Sequence, residues 1–174
     1  MALRSAKCYR KLERPNTRIS IRKPKRGYVK GVPNIKIHRF EHGNSKKKFE
    51  ASMYMVAKEP VQIRHNALES ARVSVSKELQ KKVGEEAFFL KILVYPHHVL
   101  RENPLATGAG ADRFQTGMRK SFGRPISKAA RVKEGQRIVE IRLDKANIKF
   151  GKKAIKIGAA KVPTACRIEI VEHN

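Results

Sequence analysis

The most regular stretch of the chain runs from residue 66 to 83. Leu68, Ala71, Val75, Leu79 and Val83 recur at steps of three and four, the spacing that lines apolar side chains along one face of a helix. Asn66 stands three residues before Glu69 as a capping-box-like start, Glu78 and Lys82 are placed for an i,i+4 pair, and Gly84 offers the left-handed conformation that ends a helix. Phe88 to Tyr95 is short, apolar and rich in aromatic and branched residues, which predicts a central strand ended by Pro96. Arg137–Leu143 and Arg167–Val171 also read as strands. Phe49, Met53, Met55 and Val56 predict a short strand after the charged turn at Lys46-Lys47-Lys48, Val61-Gln62-Ile63 a second, and Ile35-Lys36-Ile37-His38 is strand-like. Phe150 to Val162 predicts a second helix, weakened by Gly151 and Gly158 and ended by Pro163. The sum is an α+β sandwich, a mainly antiparallel sheet with two helices.

The remaining stretches lack such periodicity. Arg4 to Lys36 holds Pro15, Pro24 and Pro33, Gly27 and Gly31, and basic residues nearly throughout. This reads as an extended arm that orders on binding. At 174 residues one domain is expected, with an arm over 1–36 and a sandwich over 37–174. A long connection runs from His97 to about Lys128 and is treated as an internal loop over 101–124; connections of that length inside a compact domain are functional or disordered.

Charge changes the picture most. The chain has 40 Lys and Arg against 15 Asp and Glu, a formal net charge of +25. Residues 1–50 hold 16 cations and 3 acids, residues 51–100 hold 7 and 5, and residues 101–174 hold 17 and 7. The ends carry the excess while the middle third carries the clearest amphipathic pattern. So many uncompensated cations point to a polyanionic partner, RNA before a membrane surface. The longest uninterrupted apolar run, Met53 to Ala57, is far short of the ~20 residues of a spanning helix. The start, Met1 to Arg10, lacks the apolar stretch of a secretory signal. A cytoplasmic protein with no membrane partner is expected.

The candidate phosphate-binding residues are Arg4, Arg10, Lys11, Arg14, Arg18, Arg22, Lys23, Lys25, Arg26 and Lys30 of the arm, with Lys46, Lys47 and Lys48. In the loop they are Arg101, Arg113, Arg119, Lys120 and Arg124, with Phe114, Gln115, Met118 and Phe122 interleaved. Guanidinium groups pair bidentately with phosphate and stack on bases, so arginines on a glycine-hinged loop can thread between RNA helices. Gly108-Ala109-Gly110 is no dinucleotide turn, because Arg113 occupies the place of the third glycine, and Gly117 to Ser121 lacks the phosphate-loop spacing, because Asp112 stands where its first glycine belongs.

Catalytic chemistry finds little support. His97-His98, Asp112 and Glu85-Glu86 have no spacing that demands acid/base work, and Ser121 lacks a nucleophile elbow. Cys8 and Cys166 stand almost a chain length apart and read as reduced thiols, and His97 with His98 makes a poor zinc pair. No catalytic residue, metal or organic cofactor is implied. An RNA-modifying or RNA-processing enzyme stays as the alternative.

The residues resemble a known family. Arg14-Pro15 through Gly31-Val32-Pro33, Ala67 to Arg72, Val94-Tyr95-Pro96-His97-His98 and above all Gly110-Ala111-Asp112-Arg113-Phe114-Gln115-Thr116-Gly117-Met118-Arg119 with Phe122-Gly123-Arg124-Pro125 resemble a large-subunit ribosomal protein. The branch is the archaeal and eukaryotic one, called L-ten-e, of the universal L-sixteen family. The resemblance implies an α/β-hammerhead-type sandwich that does no chemistry. It implies a place on large-subunit rRNA near the A-site tRNA elbow, with five-S rRNA nearby and other ribosomal proteins as neighbours. By the same implication the 101–124 loop reaches toward the peptidyl-transferase centre between A-site and P-site tRNA, and the arm lies in rRNA grooves.

Overall fold

A computed structural model describes residues 4–12, 29–103, 105, 108–110, 113, 117–119 and 121–173. Their strands, in chain order, are β1 (Glu41–Gly43), β2 (Ala51–Ala57), β3 (Val61–Arg64), β4 (Phe88–Ile92), β5 (His98–Glu102), β6 (Arg124–Val132), β7 (Arg137–Leu143) and β8 (Cys166–Glu172). The helices are α1 (His65–Lys82) and α2 (Ile148–Ala159). A five-stranded sheet runs β1-β4-β7-β2-β8 and a three-stranded sheet β3-β6-β5, antiparallel throughout. Among the described residues the expected α+β class, with two helices on mainly antiparallel sheet, is what is found.

One ribbon joins the two sheets. β2 pairs with β7 and β3 with β6, so the chain passes from one sheet to the other twice, side by side. The Ala57 amide donates to the Gln136 carbonyl at 3.1 Å and the Gly135 amide donates to the Ala57 carbonyl at 2.9 Å, holding the bend.

Alternation along β2, β4 and β7 sends Met53, Met55, Phe88, Leu90, Ile92, Val139, Ile141 and Leu143 to one face. There they meet Leu68, Ala71, Val75 and Leu79 of α1 and Ala154 and Ile155 of α2 in a common core. Burying a side chain of this size contributes about 1.5–3 kcal/mol. The glycines that weaken α2 in isolation turn out to be its contact face. A Cβ on Gly151 would lie 2.6 Å from Leu143 Cδ1 and Met53 Sδ, and one on Gly158 would lie 2.5 Å from Val75 Cγ2. Their missing side chains let α2 sit directly on β2, β7 and α1.

Several expectations need correction. α1 begins at His65 with Arg64 as its N-cap and no side-chain capping bond. Asn66 Oδ1 is buried without a hydrogen-bond partner, while Glu69 pairs with Arg72 at 2.7 Å. The capping box therefore does not form. Glu78 is ion-paired with Lys153 of α2, at 2.8 Å, rather than with Lys82. Ile35 to His38 is no strand, although Ile37 is buried. Finally, much of the supposed 97–128 connection is the β5–β6 hairpin: Arg101 ends up inside β5 and Arg124 opens β6.

Candidate nucleic-acid interface

The hairpin gives the basic loop a rigid neck. Glu102 stands opposite Arg124 in the β5–β6 ladder, with a register shift between Leu100 and Arg101. Gly123 closes the neck at φ +72°, where a Cβ would collide with the Glu102 carbonyl group and lie 2.6 Å from the Asn103 nitrogen. Only glycine accepts both that dihedral and that approach. Asn103 Nδ2 donates to the Gly117 carbonyl at 3.1 Å, tying a point farther along the loop back to its base. The Arg101 guanidinium lies 5.4 Å from the Phe122 ring centroid, and its Nε is buried without a hydrogen-bond partner. A charged planar group on an aromatic face is attracted by the ring quadrupole.

The first residues of the arm are docked beside this neck. The Gln62 amide of β3 donates to the Arg10 carbonyl at 2.9 Å, so the arm covers the free edge of β3. Gln62 Nε2 donates to the carbonyls of Tyr9 (3.3 Å) and Lys11 (2.6 Å). Glu102 takes two partners, Arg4 Nε on one oxygen and the Tyr9 hydroxyl on the other at 3.0 Å. Burial first, and then the bond to Glu102, push the Tyr9 phenol up to about 12, so it stays a donor. One carboxylate thus ties the arm to the base of the loop.

The predicted residues sort as follows. Arg4 pairs with Glu102 and Arg10 with Glu59 (3.1 Å), and both side chains stay about half exposed. Lys11 and Lys30 are exposed. Asn44 Oδ1 accepts from the amides of Lys46 (3.0 Å) and Lys47 (3.3 Å), and Lys47 Nζ pairs with Asp144 at 2.8 Å. The side chains of Lys46 and Lys48 are exposed, with no ion-pair partner among the described residues. In the loop Arg113, Arg119 and Arg124 are exposed, and Met118 and Phe122 are each 71% exposed. Arg14, Arg18, Arg22, Lys23, Lys25, Arg26, Phe114, Gln115 and Lys120 lie outside the described residues.

Sequence reasoning missed the anchors: Tyr9, Gln62, His65 and Glu102. One signal was available, since Gln62 is a polar residue between the strand apolars Val61 and Ile63 and is only 7% exposed. His65 is buried where the chain leading out of the arm crosses β6. The Lys36 amide donates to His65 Nδ1 at 3.1 Å, and the other ring nitrogen lies 3.1 Å from Ser127 Oγ. Nδ1 must be the acceptor, so a neutral ring donates from Nε2 to the serine. Burial, then Lys36, Lys128 and Arg64, hold the His65 pKa below its ordinary value. The folded state therefore binds this proton less readily than the unfolded chain, and stability falls as pH drops below about 6.5. In thermal unfolding from pH 7.5 to 5, the wild type should lose more stability than His65→Gln; parallel curves would dismiss this role.

The outward face of the five-stranded sheet is different. Glu41, Lys91, Glu140, Tyr54 and Glu169 stand in one row across all five strands. Lys91 pairs with Glu41 (2.6 Å), Arg142 with Glu140 (2.8 Å) and Arg167 with Glu169 (2.7 Å), while the Arg137 guanidinium lies 3.9 Å from the Tyr54 ring centroid. The three acids of this face, Glu41, Glu140 and Glu169, are all paired with its own cations, so little of its positive charge is left for a polyanion. Among the described residues no group of His, Cys, Asp and Glu is arranged to hold a metal ion, and no helix is long and apolar enough to cross a membrane.

A net charge of +25 with exposed cations on a neck-held loop and on the docked first residues of the arm is the kind of electrostatic footprint that nucleic-acid-binding proteins carry. Sequence comparison supplies the class: residues 16–169 match the family described as ribosomal protein L16p/L10e, and the chain belongs to that family. Among its relatives is the large ribosomal subunit protein uL16 of Thermoplasma acidophilum, 50% identical over 145 residues, 83% of this chain and 82% of that one. The protein of the same name from Thermofilum pendens is 45% identical over 174 residues, 99% of each chain. That of Staphylothermus marinus is 46% identical over 168 residues, 97% of this chain and 93% of the relative.

Proposed function

We infer that this chain is a structural constituent of the large ribosomal subunit, a protein that holds rRNA by charge and performs no chemistry. Membership of the L16p/L10e family carries the reading. It also decides against the RNA-modifying or RNA-processing enzyme. The partners are rRNA and other ribosomal proteins, and the place of work is the ribosome, in the cytoplasm.

The finer assignment rests on the arm and the loop. The arm's cations, Arg4 to Lys30 with Lys46 to Lys48, neutralise phosphates of large-subunit rRNA near the A-site tRNA elbow, with five-S rRNA close by. The loop's Arg101, Arg113, Phe114, Gln115, Met118, Arg119, Lys120 and Arg124 face A-site and P-site tRNA beside the peptidyl-transferase centre. Exposure of Arg113, Met118, Arg119 and Phe122 at the end of a rigid neck supports this, because aromatic and guanidinium planes are the groups on which unpaired bases stack.

Reconstitution of large subunits separates the two parts. Alanine at Arg113 and Arg119 together should leave incorporation intact and weaken A-site tRNA binding at least tenfold, the scale of one lost charge-assisted bond of about 1.5 kcal/mol. Neutralising Arg10, Arg14, Arg22 and Arg26 together should impair incorporation itself and flatten its dependence on salt. Equal effects of the two sets on both readouts would end this division of labour.

A further inference from the structure

A third set of cations lies on neither the arm nor the loop. Lys149, Lys152, Lys153 and Lys156 recur at steps of three, one and three along α2, so they form one stripe. It lies opposite Gly151, Ala154, Ile155 and Gly158, the buried side of the same helix. All four lysines are exposed. Lys153 is occupied by Glu78, but Lys149, Lys152 and Lys156 have no ion-pair or hydrogen-bond partner among the described residues.

The stripe works against the helix that carries it. Lys149 faces Lys152 and Lys153 at i,i+3 and i,i+4, and Lys156 faces the same two residues from the other side, all like-charge neighbours that disfavour a helix. There is no acid in the first turn, where the helix dipole favours one, and the N-cap Asn147 makes no side-chain capping bond. Lys81 and Lys82 at the end of α1 add to the field, since both act on Glu78 together with Lys153. Helix α2 is held in place by its buried face, Gly151, Ala154, Ile155 and Gly158, and by the Lys153–Glu78 pair, none of which uses Lys149, Lys152 or Lys156.

We propose that the α2 stripe is a separate RNA-binding surface, on which Lys149, Lys152 and Lys156 track the phosphates of one rRNA strand. From Lys149 to Lys156 the helix rises about 10 Å, the reach of a few successive phosphates. The lysine ammonium groups are flexible point charges without the planar fork that reads base edges, so their contact is to backbone and not to sequence. The outward face of the five-stranded sheet, whose acids pair with its own cations, is less suited to this, and the described first residues of the arm dock on β3 and β5. The protein thereby holds a further rRNA segment besides those taken by arm and loop. This rests on the ribosomal reading above.

The test uses the full chain as wild type, as Lys149→Glu/Lys152→Glu/Lys156→Glu, and as the corresponding triple Gln variant, each bound to large-subunit particles stripped of this protein by salt. Both variants should bind at least tenfold more weakly at physiological salt. Their log affinity should fall less steeply with log salt, by about two to three in slope, the loss of three phosphate contacts. Hydroxyl-radical footprinting should show one protected rRNA patch lost and the others kept. Without RNA the Glu variant should melt no lower than wild type, because it relieves lysine repulsion. Unchanged affinity, slope and footprint would overturn the proposal while leaving the ribosomal reading intact, whereas a wild type that fails to bind the particles would remove both. Weaker binding with an unaltered rRNA footprint and a displaced acidic protein would overturn it too, assigning the stripe to a protein partner instead.

Discussion

Gly123→Ala is expected to destabilise the protein by about 3 kcal/mol, well beyond what a surface glycine to alanine change costs. Part of the loss is the left-handed backbone, about 1–2 kcal/mol for a residue with a Cβ. The rest is the collision with the Glu102 carbonyl and the Asn103 amide nitrogen. These are backbone atoms of the facing strand and its exit, so relief requires the two sides of the neck to separate. Gly135 is a natural control: it lies at φ +71° in the turn between β6 and β7, and a Cβ there would meet nothing within 4 Å. Urea unfolding of both variants should show Gly135→Ala losing only the dihedral part. Gly123→Ala should also lose A-site tRNA binding in reconstituted subunits, since the loop leaves the neck in a new direction. Similar midpoints for the two variants would mean that the neck tolerates separation.

The second large effect belongs to the core. Phe88 is fully buried, stands opposite Leu143 in the ladder and stacks on His42 with ring centroids 5.8 Å apart. Its carbonyl also accepts the Asn44 amide at 3.0 Å, which fixes the turn after β1. Phe88→Ala should cost about 3–5 kcal/mol, the range for removing a buried aromatic and leaving a cavity. The functional outcome should differ from that of Gly123→Ala. β4 bears neither arm nor loop, so the folded fraction should bind rRNA with wild-type affinity, and cooling should restore incorporation. A loss under about 1 kcal/mol in equilibrium unfolding would show that the sheet closes over the gap.

How much of this was legible beforehand varied with the range of the interactions. The 68-71-75-79 spacing announced α1 because its partners are the helix's own neighbours, and Phe88 to Tyr95 announced β4 by composition, although the strand stops at Ile92, ahead of Pro96. β5 and β6 were invisible. His98 to Glu102 opens on a histidine and ends on two charges, and β6 begins Arg124-Pro125, so each resembles loop chemistry until the other strand is beside it. Asn66 was a plausible cap, but the cap is Arg64, two residues earlier, with His65 taken inward by Lys36 and Ser127. Gly151 and Gly158 read as weaknesses because propensity describes a helix alone, whereas here they are where the helix touches its neighbours. For the candidate site the cations were plain in the sequence and their anchors were not. Glu102 meets Arg4 across 98 residues and Tyr9 across 93, and no local pattern records a pairing that distant.

That glutamate also sets how the arm can change hands. Its two oxygens hold different residues, Arg4 on one and Tyr9 on the other. Phosphate competes with carboxylate for a guanidinium but has no comparable claim on a neutral phenol. Under the proposed rRNA contact of the arm, an incoming strand would draw off Arg4 while Tyr9 stays moored, so the arm would trade an internal partner for an external one without casting loose from the body.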